Sequence, residues 1–358
     1  MKFKNTYLLE DAKIDKVDFY DENNLENNEY EDIRIPGIVT TESGAIVCAW
    51  ELRRAYGDRS VMDLGMKVST DFGQTWTNRI IIRSGKGKHI LSSPVFIPEG
   101  ERLHFLYTVD AVRVMYTYTD DLGKTWSEDM EITETLLSEI PQHSWGVVAI
   151  GPGHGMKLTN GRLIAPVWYA DKDLDSTNDM ELYVTTVYSD DLGKSWHMGE
   201  LIPDGGIRNL NESSLCQLPD GRVYMSLRTE NRDFDGGTRR AFSISSTGID
   251  NWSAAKYDVN MPNPRCMAGM CNDDKGRIYY AGCDSPDVRM YQTLKVSKDC
   301  GETWDKIEFS FRGGYCDVAY NKVSKTIFTC YEARVPKSQK IFVTEIDVDE
   351  ISLNTNLN

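Results

Sequence analysis

The stretch Ser69-Thr-Asp71-Phe-Gly73-Gln-Thr75-Trp76 is the strongest indication of the architecture, because it recurs along the chain. The recurring pattern is S/T-x-D-x-G-x-T/S-W, and five of the eight tryptophans occupy its last position. One degenerate copy has Thr247 in place of the aspartate and Ile249 in place of the glycine. The further copies are TDDLGKTW (119–126), SDDLGKSW (189–196), the degenerate SSTGIDNW (245–252) and SKDCGETW (297–304).

The chemistry of this motif, the Asp-box or BNR repeat, is that of a turn. The aspartate can accept hydrogen bonds from backbone amides two residues on, and the glycine adopts positive φ without steric cost. The tryptophan buries a large ring where neighbouring units meet. Each copy follows an alternating run such as 63–69, as a β-strand should. We therefore expect a folding device on the outer rim, with none of its aspartates in the active site.

The spacing of the repeat predicts an all-β, six-bladed β-propeller. The tryptophans of successive copies lie 50, 70, 56 and 52 residues apart, the spacing of four-stranded blades. A chain of 358 residues then holds about six blades of about 50 to 60 residues. We expect residues 1–358 to form a single domain, with the acidic segment 1–32 as a candidate to complete the last blade. One short helix is expected, over residues 133–140.

Charge and cysteine usage limit the partners and the compartment. The net charge of −15 argues against nucleic acid and anionic membranes, which need a basic face. Neither a signal peptide nor an apolar membrane span is evident, and the eight cysteines include no CxxC pair. We expect a cytoplasmic protein, with a secreted mature form as the alternative. No metal or cofactor is predicted, and the sequence does not indicate the oligomeric state.

A series of charged residues falls between the repeats, and in this order the chain resembles the bacterial sialidases (neuraminidases) of glycoside hydrolase family 33. Taken alone, Arg34 would be a solvated charge at a strand end. The resemblance runs from residue 34 to about residue 335. Its blocks are Arg34-Ile35-Pro36, Glu51-Leu52-Arg53 with Asp58, Gly151-Pro152-Gly153, Asn211-Glu212-Ser213 with Arg228, then Arg289, Tyr315-Cys316 and Glu332.

The resemblance implies a role for each residue in binding and cleaving a sialoside. Arginine suits bidentate recognition of a carboxylate, so three arginines would grip the carboxylate of the sugar. A carboxylate nucleophile would be repelled by that group, and sialidases use tyrosine instead. The implied assignments are Arg34, Arg228 and Arg289 for the grip, Glu332 to orient Arg34, Arg53 at the sugar's 4-position, Tyr315 as nucleophile, Glu212 as its base and Asp58 as general acid and base.

The function implied is a retaining exo-α-sialidase acting on sialylated oligosaccharides. Trp145 and Trp168 are candidates for a wall facing an N-acyl group, with packing between blades as the alternative. Two positions depart from the family's pattern, Ser93 before Pro94 and His154 after Gly153. They keep open a hydrolase or lyase for another carboxylated sugar. A non-catalytic propeller that binds acidic glycans or a protein partner is the remaining alternative.

Overall fold

Six β-sheets make up the part of the chain that the structure describes. The structure is a computed structural model, and it describes residues 30–143, 145–171, 181–230, 237–335 and 338–347. Within these residues the sheets follow one another along the chain, and each is built mainly from antiparallel neighbours in sequence order. This arrangement confirms the all-β, six-bladed β-propeller. Each sheet is called a blade below.

Among the described residues, blade one has four strands, and blades two and three have five strands each. Blade two also takes up β10 as a parallel neighbour of β5, and β9 pairs with β12 in blade three. The elements are β1 (Asp32–Thr40), β2 (Ile46–Arg53), β3 (Met62–Ser69), β4 (Ile80–Arg83), β5 (Leu91–Glu99), β6 (Arg102–Val109), β7 (Arg113–Thr119), β8 (Met130–Glu131), α1 (Thr133–Ser138), β9 (Trp145–Ile150), β10 (Gly153–His154), β11 (Met156–Lys157), β12 (Leu163–Asp171), β13 (Leu182–Ser189) and β14 (His197–Met198).

Within the described part of the chain, blades four and five have four strands each and blade six has three. The strands are β15 (Ser213–Gln217), β16 (Val223–Leu227), β17 (Arg239–Ser245), β18 (Lys256–Pro262), β19 (Gly269–Asn272), β20 (Ile278–Cys283), β21 (Met290–Ser297), β22 (Asp305–Arg312), β23 (Cys316–Asn321), β24 (Thr326–Val335) and β25 (Ser338–Asp347). Helix α1 confirms the short helix expected after residue 133. No helix among the described residues is long and apolar enough to cross a membrane.

The Asp-box is a turn between the third and fourth strands of a blade. In blade one, the Asp71 carboxylate accepts a 2.8 Å hydrogen bond from the amide of Thr75, and Ser69 Oγ accepts one of 2.8 Å from the amide of Gly73. Gly73 has φ +84°, as the motif predicts. The amide bound by Asp71 therefore lies four residues on and not two residues on, as the sequence had predicted.

The tryptophans of the Asp-boxes pack where two blades meet, which confirms that expectation. Trp126 of blade two, for example, packs against the hydrophobic cluster that combines residues of blades one and two. Trp196 is buried in the hydrophobic cluster between blades two and three. Within the described residues, one such cluster joins each pair of neighbouring blades. The repeat therefore stabilises the ring through its tryptophans.

Blades one and six meet and close the ring. The amide of Ile38 donates a 2.9 Å hydrogen bond to Asp317, and Asn321 donates one of 2.9 Å to the carbonyl of Gly44. A hydrophobic cluster combines strands β1 and β2 with β23, β24 and β25. The first 29 residues, most of the segment expected to complete the last blade, lie outside the described residues.

Candidate active site

The candidate residues come together where the innermost strands begin. Arg34 lies near the start of β1, Glu212 directly before β15, and Tyr315 directly before β23. Ile35 has φ +60° beside a register shift between Arg34 and Gly37. Such a bulge re-aims the neighbouring side chain.

Tyr315 lies at the centre of the cluster, and its hydroxyl is held by two charged residues. It donates a 2.6 Å hydrogen bond to Glu212 Oε1 and accepts one of 2.8 Å from Arg228 Nη1. Arg228 Nη1 also donates to the second oxygen of Glu212. Burial and the charge of Glu212 raise the pKa of Tyr315, while Arg228 and Arg289 act in the opposite direction. The phenol is thus buried beside both a base and two cations.

Glu332 connects Arg34 to the strand that carries Tyr315. Its Oε2 accepts a 2.6 Å hydrogen bond from Arg34 Nε, and its Oε1 accepts one of 3.2 Å from the amide of Tyr315. Burial alone would lower the pKa of Arg34, but the pairing with Glu332 raises it above its ordinary value. Arg34 lies over the ring of Tyr315, with Cζ 5.2 Å from the centroid. One buried carboxylate therefore holds the side chain of Arg34 and the backbone of Tyr315.

Arg289 approaches Tyr315 from blade five. Its Cζ lies 5.1 Å from the centroid of the Tyr315 ring, and its Nη2 donates a 2.8 Å hydrogen bond to the carbonyl of Arg265. Among the described residues no carboxylate forms an ion pair with Arg289. All three arginines thus contact Tyr315, and Arg289 is the one whose charge is free to meet an anion.

Arg53, Glu51 and Asp58 form a separate arm on blade one. Arg53 donates to Glu51 Oε2 through Nε (3.0 Å) and Nη2 (2.6 Å), and to Asp58 Oδ1 through Nη1 (2.7 Å). The Asp58 side chain is 87% exposed, whereas those of Glu51 and Arg53 are 3% exposed. The second oxygen of Glu51 accepts a 3.0 Å hydrogen bond from the amide of Ser93, which has φ +58°. Asp58 is therefore held by Arg53 but open to a ligand.

Several supporting residues were missed by sequence reasoning. Arg240 is fully buried and donates to the carbonyl of Glu212 (3.2 Å), and also to Ser226 and to the carbonyl of Cys266. Burial lowers its pKa. Glu230 lies 2.6 Å from Arg228 Nη2. Nothing local marks Arg240, because a single arginine in a strand usually points to solvent.

The structure shows Trp145 and Trp168 as packing residues. Trp145 is buried in the cluster between blades two and three, and its indole nitrogen donates a 2.8 Å hydrogen bond to the carbonyl of Val112. Trp168 packs against the cluster between blades three and four. Packing was the alternative for both, and a substrate contact stays a prediction.

His154 lies on the axis rather than with the arginines. Its Nδ1 is 2.9 Å from both oxygens of Asp317, which is fully buried. Burial works against protonation, but Asp317 raises the pKa of His154 above its ordinary value. His154 also lines an axial cavity of about 200 Å³, together with the ends of β1, β5 and β23. His154, which departs from the family's pattern, thus forms a buried pair with Asp317 outside the arginine cluster.

The described residues contain no cluster of three metal-ligating side chains. With its arginines, a phenol and carboxylates, the site can bind an anion and activate a tyrosine hydroxyl. It places the carboxylate of Glu212 against the hydroxyl of Tyr315, and an acceptor beside a hydroxyl is the arrangement that nucleophilic catalysis requires.

Comparison with protein families gives one match that covers most of the chain. A model described as a BNR repeat-like domain matches residues 44–324. Among relatives, a sialidase of Paraclostridium sordellii is 26% identical over 262 residues, covering 67% of this chain and 61% of that protein. This chain therefore spans about three fifths of the length of that relative.

Solved structures share the fold. A Hadza microbial sialidase matches with a TM-score of 0.76 and 22% identity, covering 90% of this chain and 67% of its own. The sialidase of Trypanosoma rangeli, in complex with 2,3-difluorosialic acid as a covalent intermediate, matches with a TM-score of 0.74 and 17% identity, covering 90% of this chain and 55% of its own. At these identities the likeness is one of fold.

Proposed function

The chain belongs to the BNR repeat-like domain family, and from that premise we propose that it is an exo-α-sialidase that cleaves terminal α-linked sialic acids with retention of configuration. The observation that carries the proposal is the Tyr315 hydroxyl, which Glu212 and Arg228 hold among three arginines. The sialidases among its relatives and structural neighbours support the same activity.

The arginines account for the choice of an anionic sugar. Arg34 keeps both Nη groups without a hydrogen-bond partner among the described residues, and Arg289 has no paired carboxylate. These two guanidinium groups, 5.2 and 5.1 Å from the centre of the Tyr315 ring, can bind a carboxylate through charge-assisted hydrogen bonds, which are about twice as strong as neutral ones. The carboxylate on the anomeric carbon would then place that carbon above the phenol oxygen.

The first displacement begins with proton transfer from Tyr315 to Glu212. The phenol oxygen attacks the anomeric carbon, the glycosidic bond breaks, and the leaving oxygen takes a proton from Asp58. In the second displacement a water molecule gives a proton to Asp58 and attacks the same carbon. The bond to Tyr315 breaks, and Glu212 returns the proton to the phenolate. Two inversions give net retention.

The exposure of Asp58 suits a general acid and base, which must contact first the leaving oxygen and then a water molecule. Its side chain is 87% exposed and is anchored by Arg53. A general acid must first protonate the departing aglycone and then bind water at the same place. An open position at the mouth of the site suits both steps, and it suits an enzyme that acts on the end of a glycan.

Release of 4-methylumbelliferone from its α-sialoside tests the proposal. We expect turnover of this substrate and of natural sialosides, and none of the matching aryl glucuronide. Turnover of the glucuronide alone would favour an enzyme for another carboxylated sugar. Binding of a sialoside without turnover of any substrate would indicate a non-catalytic propeller.

A further inference from the structure

We propose that Arg240 is a positioning residue for the base, and that it holds the backbone of Glu212 so that the carboxylate meets the hydroxyl of Tyr315. This inference rests on the proposed function and deepens it, since it concerns how the same site is held together. Arg240 is the second residue of β17, the third strand of blade four. No part of the sequence pattern pointed to it.

Glu212 stands directly before the first strand of its blade, where the strand ladder gives it little support. The pairing of β15 with β16 begins at Ser213 and Leu227. The carbonyl of Glu212 accepts a 3.2 Å hydrogen bond from the amide of Arg228, longer than the usual value of about 2.9 to 3.0 Å. A shift of this backbone would move the carboxylate with it, so the position of the base depends on a further support.

Arg240 supplies that support by joining three segments of backbone. Its Nη2 donates hydrogen bonds to the carbonyl of Glu212 (3.2 Å) and to the carbonyl of Ser226 (2.8 Å). Its Nε donates one of 2.9 Å to Ser226 Oγ, and its Nη1 donates one of 3.1 Å to the carbonyl of Cys266, which lies shortly before the first strand of blade five. One planar group thus connects the start of β15, the end of β16 and the neighbouring blade.

The charge of Arg240 is buried without a carboxylate. Its side chain is fully buried, and it forms no ion pair with a carboxylate in the part of the chain that the structure describes. Burying a charge in this way is costly unless hydrogen bonds satisfy the buried donors. A guanidinium carries five donors in one rigid plane, so the four bonds to carbonyls and to Ser226 also fix its orientation. A packing role alone would not need this charge.

The contact that depends on this support is the 2.6 Å hydrogen bond from the Tyr315 hydroxyl to Glu212 Oε1. Proton transfer from the phenol requires that contact, and a displacement of about 1 Å can cost about a hundredfold in rate. The arginines of the carboxylate grip have partners of their own, as Arg34 has in Glu332. The loss of Arg240 is therefore expected to slow the chemical step more than it weakens binding of the sugar.

Two substitutions of Arg240 separate its charge from its geometry. Arg240→Lys keeps a buried cation but replaces three donor nitrogens by one, and Arg240→Met keeps an apolar side chain without any donor. We expect kcat for the aryl sialoside to fall about tenfold to a hundredfold in Arg240→Lys, and further in Arg240→Met. The affinity of Arg240→Lys for dehydrated sialic acid, measured by calorimetry, should stay within about threefold of wild type.

Ser226→Ala and Ser243→Ala form a matched pair for the case that Arg240→Met does not fold. Both serines are buried on blade four. Ser226 Oγ accepts a 2.9 Å hydrogen bond from Arg240, whereas Ser243 Oγ donates one of 2.6 Å to the carbonyl of Ser253. Each substitution removes one such bond, so the midpoint of thermal unfolding should fall by a similar amount in both. We expect kcat to fall about threefold to tenfold, the factor that corresponds to one hydrogen bond, in Ser226→Ala only.

Three results would overturn the inference. Equal kinetics in the two serine variants, or a wild-type kcat in Arg240→Met, would show that Arg240 serves packing alone. If the affinity for the dehydrated sugar falls in parallel with kcat in Arg240→Lys, Arg240 acts on Arg289 through Cys266 and the neighbouring Arg265, whose carbonyl Arg289 binds. A wild-type protein that cleaves no sialoside is a different result, because it removes the proposed function and this inference with it.

Discussion

The hydroxyl of Tyr315 donates a 2.6 Å hydrogen bond to Glu212 Oε1, across a gap of 103 residues in sequence. Glu212 precedes the first strand of blade four, and Tyr315 precedes the first strand of blade six. The ring of blades is therefore what assembles the base and the nucleophile. The predictions below follow from this pair and from the residues around it.

Tyr315→Phe removes the oxygen that would attack the sugar. We expect kcat to fall about a thousandfold or more, as when the nucleophile of a catalytic unit is lost. Binding of dehydrated sialic acid should persist, since Arg34, Arg228 and Arg289 remain. Tyr320→Phe, on the same strand with its hydroxyl 3.1 Å from Asp274, is the control and should keep wild-type kinetics. A wild-type rate in Tyr315→Phe would remove the nucleophile from the mechanism.

Asp58→Asn tests the general acid. Protonation matters most when the leaving oxygen is basic, so a natural sialyl-oligosaccharide should be affected more than an aryl sialoside. We expect kcat/KM to fall about a hundredfold or more for sialyl-lactose and markedly less for the 4-methylumbelliferyl sialoside. Equal losses on both substrates would contradict this role and would point to a binding defect.

Glu332→Gln tests the orienter of Arg34. Arg34 Nε loses its charged partner at 2.6 Å, a hydrogen bond of the kind worth about 1.5 to 3 kcal/mol. We expect KM for the aryl sialoside to rise about tenfold or more, with a smaller change in kcat. Thermal unfolding of the variant provides the check that it is folded. A loss confined to kcat would show that Glu332 acts on Tyr315 and not on Arg34.

The lowered pKa values of the Asp-box aspartates make the stability of the folded protein depend on pH. Hydrogen bonds from the side chain and amide of Thr125 lower the pKa of Asp121 to about 2, below its ordinary value of 3.8. Since the folded value is lower, the stabilisation is present above pH 3.8 and is lost as the pH falls toward 2. Urea unfolding of wild type across this range should show the fall. Asp121→Asn should be less stable near neutral pH and lose less on acidification, and an equal loss would contradict the assignment.

The blades could be predicted from sequence because their signal is local and repeated. In the copy at 69–76, Gly73 needs positive φ and Trp76 needs an apolar neighbour, and both residues lie within eight positions. The roles of Arg34, Glu212 and Tyr315 were predicted from the resemblance to the sialidases. What the structure adds is their convergence, since it depends on the closure of the ring.

The remaining features depend on partners that lie far away in sequence. His154 meets Asp317 across 163 residues, and no spacing marks that pair. Trp145 lies near a glycine-rich turn. The sequence there does not distinguish a tryptophan that lines a pocket from one that is buried in packing. Glu230 is close to Arg228, yet an acid two residues after a strand-end arginine is usually a solvated charge. Only its contacts with Arg228 and Asn211 distinguish Glu230 from such a solvated charge.

The most direct test of the tyrosine mechanism is to trap the glycosyl-enzyme. Incubation with 2,3-difluorosialic acid, followed by intact-mass measurement and peptide mapping, reports where a covalent bond forms. We predict one added sugar, located on the peptide that contains Tyr315, and none in Tyr315→Phe. A protein that cleaves sialosides but carries the label on another residue, or never carries it, would contradict the account.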